Sequence, residues 1–391
     1  MKLAHIADPH LGVRQYHRQT PSGINQREAD VANAFRAAVD DIIAARPDVV
    51  LVAGDLFHSV RPSNQAIVFA FRQVQRLREA LPDAPVILIA GNHDTPRSTE
   101  TGSILRLFAE LGIEVAAEEA RRLVYPALDL SVLAVPHQAL VAAERPVLRP
   151  EGGERRQVLL LHGEVEGLFP ADRSAVEYGG ALVAPGELAS GWSYVALGHY
   201  HVQHEVAPRV WYAGALEYVS PNLWGELEDE RRLGVAGKGW LLADLEAGTV
   251  ERRPVQAARR ILDLEPVRAE GKAATAIDAE IAERVRGAPG GIADQIVRLR
   301  VFDVPRHVAR ELDHAAVRAC KSEALHFHLD LRRPEVHRTV GMGAPGRRQT
   351  LPELVRAYLA RRPLPAEVDR DAFVQAGAAL IDAVEREFAS G

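Results

Sequence analysis

The chain has 391 residues, enough for two or three domains of about 150 residues each, and 47% of them are hydrophobic, as in ordinary globular proteins. Its single cysteine, Cys320, excludes an internal disulfide and favours the reducing cytoplasm, and no apolar run reaches the roughly 18 residues that cross a bilayer. The formal charge of −6 is not the basic footprint of a typical nucleic-acid-binding protein, although divalent cations and local arginine clusters can hold phosphate on an acidic chain.

Apolar, strand-like segments alternate with helix-periodic segments through residues 1–250. The first strand begins directly at the N-terminus, so we expect no signal peptide. The predicted strands are KLAHIAD, DVVLVAGD, PVILIAGN, LSVLAVP, QVLLLHG, YVALGHY, VWYAGA and WLLADL, and the predicted helices are Asn25–Ala45 and Pro62–Ala80. The early alternation favours an α/β fold, whereas the later strands follow one another closely and favour antiparallel pairing. We therefore predict a mixed sheet, or two packed sheets, flanked by helices.

A second, smaller domain is predicted after Glu251, where the composition shifts. Its elements are strand RRILDLEP, helix Lys272–Arg286, turn GAPGG, strand DQIVRLRVF, helix Pro305–Cys320 and strand ALHFHLDLR. This order of elements predicts a small α/β domain. We place the domain boundaries at 1–255, 256–338 and 339–391.

The last segment opens with a stretch rich in glycine and arginine, Val340–Gln349. Thr350 and Glu353 then form a capping-box pattern that predicts a helix over LPELVRAYLARR. A final helix is predicted over Arg370–Ala389, with apolar residues on one face, namely Phe373, Leu380, Val384 and Phe388. Such an apolar face can pack either on the surface of a partner protein or on the rest of the helix's own domain.

Five short signatures rich in metal-binding residue types occur in order, each after a strand-like run. They are Asp8-Pro9-His10, Gly54-Asp55, Gly91-Asn92-His93-Asp94, His162-Gly163 and Gly198-His199-Tyr200-His201. Side chains at strand ends project into a crevice, where α/β proteins place their ligands. Residues i and i+2 of an extended segment lie on one side, so the Asp and His of the first signature, and the two His of the last, are expected to converge.

The donor set combines imidazole nitrogens with carboxylate and amide oxygens and contains no thiolate. Such donors suit Mn²⁺, Fe²⁺ or Zn²⁺ in an open catalytic site. Asp55 has two carboxylate oxygens and can bridge two ions, which in such sites lie roughly 3.5–4 Å apart. Taken singly, the first signature also fits a turn with a surface histidine, and Gly-Asp fits an ordinary loop. The histidines that fit no signature are interpreted as packing or surface residues: His5, His17, His137, His204, His326 and His328.

Together the five signatures resemble those of the calcineurin-like metallophosphoesterase superfamily, over residues 1–250. The resemblance implies a β-sandwich flanked by helices and two divalent metal ions, for which we expect Mn²⁺. The first ion would be bound by Asp8, His10, Asp55 and His201, and the second by Asp55, Asn92, His162 and His199. His93 would face the scissile phosphate.

The stretch GDLFHSVRPS, residues 54–63, distinguishes branches within that superfamily. Ser/Thr phosphatases have a second Asp and an Arg after the Gly-Asp and read Gly-Asn-His-Glu later, whereas this chain has GDLFH and GNHD. GDLFH…PS is similar to the SbcD-type nucleases, which process DNA ends. The similarity implies that His58 assists His93. The alternative is that His58 only precedes a helix starting at Pro62, with Ser59 or Ser63 as its cap.

The resemblance also implies an activity and partners. The activity would be Mn²⁺-dependent 3′–5′ exonuclease action on double-stranded DNA and endonuclease action on single strands and hairpins, in double-strand-break repair and recombination. The partners would be a second copy of the chain, bound through helices near the first two motifs, and the coiled coil of an SbcC-type ABC ATPase. Residues 256–338 would form a capping domain, and 339–391 the linker and helices that dock on the ATPase. The site of action would be the nucleoid.

DNA contacts are expected mostly at phosphates, because end processing needs little sequence recognition. The candidates are Arg14, His17, Arg18 and Arg61. A later arginine-rich run is interpreted as a contact to DNA or to an acidic face of the ATPase, or as a solvated linker. It comprises Arg332, Arg333, Arg338, Arg347, Arg348, Arg356, Arg361 and Arg362.

Two other functions fit the same residues. A small-molecule phosphodiesterase or phosphatase on the same metal core would turn over a cyclic nucleotide or a phosphomonoester at least as well as DNA. A non-catalytic scaffold that binds DNA ends would use the metals only to shape a surface. The scaffold is disfavoured because metal binding alone does not require His93.

Overall fold

The structure is a computed structural model that describes residues 1–96, 102–168, 180–189, 191–334, 351–362, 364 and 368–389, with the backbone alone at 351, 352, 354 and 382–389. The chain divides into two compact units, Met1–Arg333 and Pro334–Gly391. Among the residues described, no helix combines the length and the apolar character that a membrane span requires.

The larger unit contains most of the secondary structure. Its strands are, in chain order, β1 (Lys2–Ile6), β2 (Val49–Ala53), β3 (Val86–Ile89), β4 (Glu114–Ala116), β5 (Arg121–Tyr125), β6 (Leu130–Val135), β7 (Arg156–His162), β8 (Glu164–Val165), β9 (Leu182–Val183), β10 (Tyr194–Gly198), β11 (His204–Ala207), β12 (Val210–Tyr212), β13 (Gly239–Asp244), β14 (Thr249–Pro254), β15 (Ile261–Arg268), β16 (Ile296–Phe302) and β17 (His326–Leu331). Its α-helices are α1 (Gln26–Ala45), α2 (Asn64–Ala80), α3 (His137–Val141), α4 (Pro185–Leu188), α5 (Leu223–Leu233), α6 (Ala274–Arg286), α7 (Arg306–Glu311) and α8 (His314–Glu323), and its 3₁₀ helices are Ile104–Leu111 and Pro126–Leu128.

Two six-stranded sheets pack face to face at the centre of this unit. The strand order is β14-β13-β1-β2-β3-β4 in the first sheet and β11-β12-β10-β7-β6-β5 in the second. Alternate apolar side chains of the central strands, such as Leu51, Ile89 and Leu160, fill the space between the sheets. The neighbouring strand residues Val50 and Val52 face the other way and pack against α1 and α2. The predicted fold class, α/β with packed sheets flanked by helices, is confirmed.

The expectation that the later strands pair antiparallel was wrong for the central strands of the second sheet. β6 pairs in parallel with β7, β7 with β10, and β10 with β12. The outer pairs, β5–β6 and β11–β12, are antiparallel. The strands β7 and β10 are almost continuously apolar and buried, as is typical of parallel strands covered on both faces.

The first two helices begin where polar side chains cap them. Oγ of Ser63 accepts a hydrogen bond from the backbone N–H of Ala66 at 3.2 Å, as an N-cap residue does. As a result α2 begins at Asn64 rather than at the predicted Pro62. Asn25 caps α1 in the same way.

β15, β16 and β17 form a separate three-stranded sheet with parallel pairing, and α6 and α7 pack on one face of it through Ile277 and Val308. One helix was predicted over Pro305–Cys320, but the structure has α7 and α8. The helix is interrupted because the Asp313 carboxylate accepts hydrogen bonds from two N–H groups at the start of α8. The small sheet and the sandwich belong to one compact unit, and the predicted domain boundary between 255 and 256 stays a prediction.

The smaller unit contains α9 (Leu351–Arg361) and α10 (Arg370–Ala389), which match the predicted ranges and pack against each other. Gly377 of α10 lies against the side chain of Leu359, where a larger residue would clash. Thr350 of the predicted capping box and Val340–Gln349 lie outside the described residues, as do the side chains of Val384 and Phe388.

Candidate metal centre

The five sequence signatures meet at one edge of the sandwich. β1, β2 and β3 are parallel and end at the same edge of the first sheet, as do β7 and β10 in the second. Asp8, Asp55 and Asn92 follow the first three strands, and His162 and His199 lie at the ends of the other two. Because the sheets face each other, these side chains enter one space between them.

Left-handed backbone conformations aim the side chains that follow β1 and β2. φ is 51° at Asp8, 48° at His10 and 51° at Asp55, in a region that residues with a Cβ rarely occupy. Gly54 has φ 87° and lies against the ring of His162, so only glycine fits there. The N–H of Asp8 donates to the Gly54 carbonyl at 3.1 Å, and the N–H of His10 donates to the carbonyl of residue 55 at 2.9 Å. These hydrogen bonds join the two loops.

The first group of donors consists of Asp8, His10 and His201. One ligand atom of each lies within 4.8 Å of the others, and all three residues are buried. Nε2 of His10 is 3.1 Å from Nε2 of His201 and 3.7 Å from Oδ2 of Asp55. With metal–nitrogen bonds of about 2.0–2.1 Å, two nitrogens bound to one ion lie about 3 Å apart. The group therefore fits a divalent cation.

The second group consists of Asn92, His162 and His199. Oδ1 of Asn92 is 2.8 Å from Nε2 of His162 and 3.2 Å from Nδ1 of His199. Oδ2 of Asp55 is 3.4 Å from Nε2 of His162. This oxygen is buried and has no hydrogen-bond partner within the described part of the chain. It lies between the two donor groups, as a carboxylate shared by two cations would.

Two imidazoles of the centre are oriented by hydrogen bonds on their other nitrogen. Nδ1 of His162 donates to the Ala53 carbonyl at 2.9 Å, which leaves Nε2 to face the donors. Nδ1 of His201 is 3.2 Å from Oε1 of Glu226, and Oε2 of Glu226 is 2.5 Å from Nζ of Lys238. Burial acts to raise the pKa of Glu226, but the charge of Lys238 outweighs it and lowers the value. Glu226 lies on α5, and sequence reasoning missed it because no signature occurs there.

Asp94, the last residue of the GNHD signature, joins the loops after β2 and β3. Its carboxylate accepts hydrogen bonds from the backbone N–H groups of Leu56 and Phe57, each at 3.0 Å, and of Gly91 at 3.2 Å. The side chain is buried. The signature contains Asp94, but this structural role was not predicted.

The pKa values of the centre are strongly shifted. Burial raises the pKa of Asp8 to about 6, and burial together with the charge of Asp55 raises the pKa of Asp94 to about 7. Burial lowers the pKa of His162, but the carboxylates of Asp55 and Asp8 outweigh it and raise the value to about 9. Burial likewise acts to raise the pKa of Asp55, which His162 holds well below its usual range. Bound cations would replace the positive charge that His162 supplies.

His93 and His58 lie together beside the first donor group. The backbone N–H of His93 donates to Oδ1 of Asp55 at 2.8 Å, and its Nδ1 donates to the His58 carbonyl at 2.8 Å. The two rings stack with centroids 5.2 Å apart, and Nδ1 of His58 is 3.3 Å from Nδ1 of His10. Ring nitrogens of His10, His58 and His93 also lie close enough together to hold a cation. The structure thus brings the predicted catalytic pair next to the predicted metal ligands.

Arg14 and Arg61, two of the predicted DNA contacts, follow the first and second signatures on loops. Nε of Arg14 is 2.7 Å from Oε2 of Glu28, although most of the Arg14 side chain is exposed. Arg61 is exposed in the loop before α2. Both loops also contain donor residues of the metal centre, so the two arginines are close to those residues in sequence.

His17 and Arg18, the other two predicted DNA contacts, line a cavity of about 690 Å³ between the loop after β1 and the small sheet. Tyr16 of this loop stacks on His326, with ring centroids 4.1 Å apart. Arg18 pairs with the Asp294 carboxylate. The lining also contains Lys321 and His328.

Two of the histidines without a signature are buried in the sandwich. His5 lies in β1 with Nδ1 3.1 Å from the Tyr194 hydroxyl, and burial lowers its pKa to about 3. His137 begins α3, and burial lowers its pKa to about 4.

In the later arginine run, Arg332 and Arg333 end the larger unit, and Arg356, Arg361 and Arg362 lie on or next to α9. Arg338, Arg347 and Arg348 are outside the described residues.

Sequence comparisons relate the chain to known proteins. The family model for calcineurin-like phosphoesterases matches residues 1–203. The DNA double-strand break repair protein Mre11 of Saccharolobus solfataricus is 29% identical over 208 residues, which cover 52% of this chain and 50% of that protein. Mre11 of Methanocaldococcus jannaschii is 26% identical over 262 residues, 64% of each chain, and Mre11 of Methanococcus maripaludis is 39% identical over 111 residues, 28% of each. The chain spans about half the length of several of the curated relatives it matches.

Proposed function

The chain belongs to the calcineurin-like phosphoesterase family, and from that premise we propose that it is a metal-dependent phosphodiesterase that cleaves DNA during double-strand-break repair. The observation that carries the proposal is the pair of donor groups sharing Asp55, with His93 and His58 beside them. The similarity to Mre11 proteins, whose name assigns them to double-strand break repair, supports DNA as the substrate.

The finer proposal concerns the reaction. We assign two Mn²⁺ ions to the centre, one held by Asp8, His10, Asp55 and His201 and the other by Asp55, Asn92, His162 and His199. The cations would supply a nucleophilic water at neutral pH and neutralise charge on the phosphoryl oxygens. The products would be those of a 3′–5′ exonuclease on double-stranded ends and of an endonuclease on single strands and hairpins.

We assign His93 the role of proton donor in this reaction. Its Nδ1 is engaged by the His58 carbonyl, and its backbone is tied to Asp55, so the ring is held at a fixed place beside the donors. From there it would stabilise or protonate the leaving 3′-oxygen, a contribution of about 10²–10⁴ in rate. The ring of His58 stacks on it and would restrict its motion.

The test is His93→Ala, assayed on double-stranded ends and hairpins with Mn²⁺, Mg²⁺ and Zn²⁺. Cleavage should fall at least about 100-fold because the proton donor is lost. Mn²⁺ binding, measured by calorimetry, should remain, because His93 is not among the assigned ligands. His314→Ala, an exposed histidine at the start of α8, is the matched control. If metal binding were lost together with cleavage, His93 would be a ligand instead.

The same assay of the wild type, run beside a cyclic nucleotide and a phosphomonoester and with a measurement of DNA binding, separates the rival functions. A small-molecule enzyme would hydrolyse a cyclic nucleotide or a phosphomonoester at least as well as DNA. A scaffold would bind DNA ends without metal-dependent cleavage. Either result would replace the proposed nuclease.

We further propose that α9 and α10 dock on an SbcC-type ABC ATPase. We also propose that two copies of the chain pair through α1 and α2. The complex would act at the nucleoid. Tyr358 and Leu380 are 65% and 70% exposed, which fits an apolar partner surface. An apolar groove between α1 and α2, lined by Ala32 and Phe69, supports pairing there. Deletion of residues 340–391 should abolish ATPase association and spare nuclease activity.

A further inference from the structure

Lys238 lies at the edge of the sandwich where the metal centre is formed. It directly precedes β13, which is antiparallel to β1 and therefore begins at the edge where β1 ends. The carbonyl of Lys238 accepts a hydrogen bond from the N–H of Val255 at 2.9 Å. The next residue, Gly239, lies so close to the Arg253 carbonyl that a Cβ would clash with it. These contacts fix the backbone from which the Lys238 side chain extends.

The Lys238 side chain extends from the first sheet to a metal-centre residue of the second sheet. Its Nζ donates a hydrogen bond to the backbone carbonyl of His201 at 3.0 Å, and His201 follows β10. The same carbonyl accepts a hydrogen bond from the N–H of Ala215 at 3.1 Å. Lys238 is only 3% exposed, so this contact is shielded from solvent. The ammonium group therefore helps to fix the main chain of a residue assigned to the first ion.

Two buried carboxylates of α5 hold the ammonium group in place. Nζ of Lys238 is 2.5 Å from Oε2 of Glu226 and 3.0 Å from Oε1 of Glu230. The two glutamates are four residues apart, so they lie on one face of the helix. Burial acts to lower the pKa of Lys238, but the two carboxylates outweigh it and raise the value. The ammonium group therefore stays charged although it is buried.

The two carboxylates have different neighbours. Oε1 of Glu226 is 3.2 Å from Nδ1 of His201 and accepts a hydrogen bond from the N–H of Ser220 at 3.0 Å. Oε2 of Glu230 accepts a hydrogen bond from the Tyr218 hydroxyl at 2.7 Å. Lys238 is therefore connected to His201 in two ways, directly through the backbone carbonyl and indirectly through the carboxylate that contacts the imidazole.

We propose that Lys238 is a positioning residue for the first ion, because it fixes the main chain of His201 and, through Glu226, the orientation of its imidazole. The inference rests on the proposed function only in taking the centre to bind two divalent cations. Loss of the support behind a metal ligand typically weakens metal binding about 10–100-fold. Because His201 belongs to the first donor group, the loss should affect the first ion and spare the second.

The experiment measures Mn²⁺ binding by calorimetry for the wild type and for K238M/E230Q. This double variant removes one positive and one negative charge, so the net charge of the buried cluster is unchanged and the contact to His201 is lost. The affinity for the first ion should fall about 10–100-fold, and the affinity for the second should not change. The matched control is K272M, which breaks the ion pair between Lys272 and Glu280 outside the centre and should bind Mn²⁺ as the wild type does.

Two further measurements identify the ion and the route. In crystals of K238M/E230Q grown at limiting Mn²⁺, the anomalous peak beside His201 should be weaker than the peak beside Asn92, which identifies the first ion as the one lost. If Lys238 acts through Glu226, the loss of affinity in K238M/E226Q should be far smaller than the product of the losses in K238M and E226Q, because residues that act together are not additive.

The proposal is overturned if folded K238M/E230Q keeps its affinity for the first ion, if both ions are weakened equally, or if the losses multiply in K238M/E226Q. A thermal melt in EDTA shows that each variant is folded. If K238M/E230Q melts below the assay temperature, K238Q replaces it, because its amide can still donate to the His201 carbonyl but carries no charge. DNA cleavage by the wild type is measured in parallel. Two bound Mn²⁺ ions without cleavage would reject the proposed function and leave the role of Lys238 intact.

Discussion

At the scale of single residues, the centre is built from donors whose orientation other residues fix. The loop signatures predicted the donor residues because imidazoles and carboxylates at strand ends are informative by type and position, and the structure brings these residues together. Glu226 could not be found in this way. It supports His201 from a helix whose sequence carries no motif, and its role exists only through the folded contact.

Glu226→Gln tests that role. The amide keeps the size of the side chain but removes the charge that would make His201 a stronger metal ligand. We expect Mn²⁺ affinity, measured by calorimetry, to fall about 10–100-fold, as is typical of residues that support a metal ligand. Glu228→Gln, exposed on the same helix, should leave affinity unchanged. An unaltered affinity in the Glu226 variant would remove it from the centre.

The pH dependence of metal binding follows from the raised pKa values. In the metal-free protein the pKa of His162 is about 9 and that of Asp8 about 6, so protons held there must leave when a cation binds. Mn²⁺ affinity should therefore rise with pH up to about 9, with proton release detected by calorimetry in buffers of different ionisation enthalpy. Affinity that is flat between pH 6 and 9 would contradict the ligand role of His162.

The same shift affects stability. A raised histidine pKa contributes stability that is complete below the unfolded value of about 6.5 and is lost as pH rises through the folded value of about 9. The contribution of His162 to the stability of the metal-free protein should therefore disappear as the pH rises between these two pKa values. Mn²⁺ needs the deprotonated ring of His162, so it should stabilise the protein most at the upper end of this pH interval.

At the scale of elements, Asp94 joins the loops after β2 and β3, because its carboxylate accepts backbone hydrogen bonds from both. Asp94→Ala leaves three backbone N–H groups without their acceptor. We expect the free energy of unfolding to fall by about 1–3 kcal/mol, measured by urea denaturation, since buried donors without partners are costly. Asp83→Ala, at an exposed aspartate before β3, should have little effect. Equal stability of the two variants would show that the loops are held by other contacts.

The long apolar strands were well predicted, but the pairing direction of the later strands was not. The eight apolar runs all became strands because hydrophobic runs of this length bury well in sheets. Their direction depends on the crossovers between them, and the periodicity of a strand does not encode it. α5 was missed because its sequence, LWGELEDERRL, is mostly polar and includes a glycine. The break between α7 and α8 depends on the Asp313 cap, a local competition that helical periodicity does not reveal.

At the scale of the whole molecule, the position of the centre follows from the topology. Residues separated by up to about half the chain meet because β1, β2, β3, β7 and β10 all end at one edge of two facing sheets. The sequence predicted this meeting from the order of the signatures. It did not predict the cavity lined by Arg306, Arg310 and Arg333, because these residues come from two different elements and become neighbours only through the parallel order of β16 and β17.

The most direct measurement is anomalous diffraction from a crystal of the protein grown with Mn²⁺. Two manganese peaks should lie on either side of Oδ2 of Asp55, the first bonded to Asp8, His10 and His201, and the second to Asn92, His162 and His199. Absence of manganese from these donors, or a single ion held by His10, His58 and His93, would contradict the account.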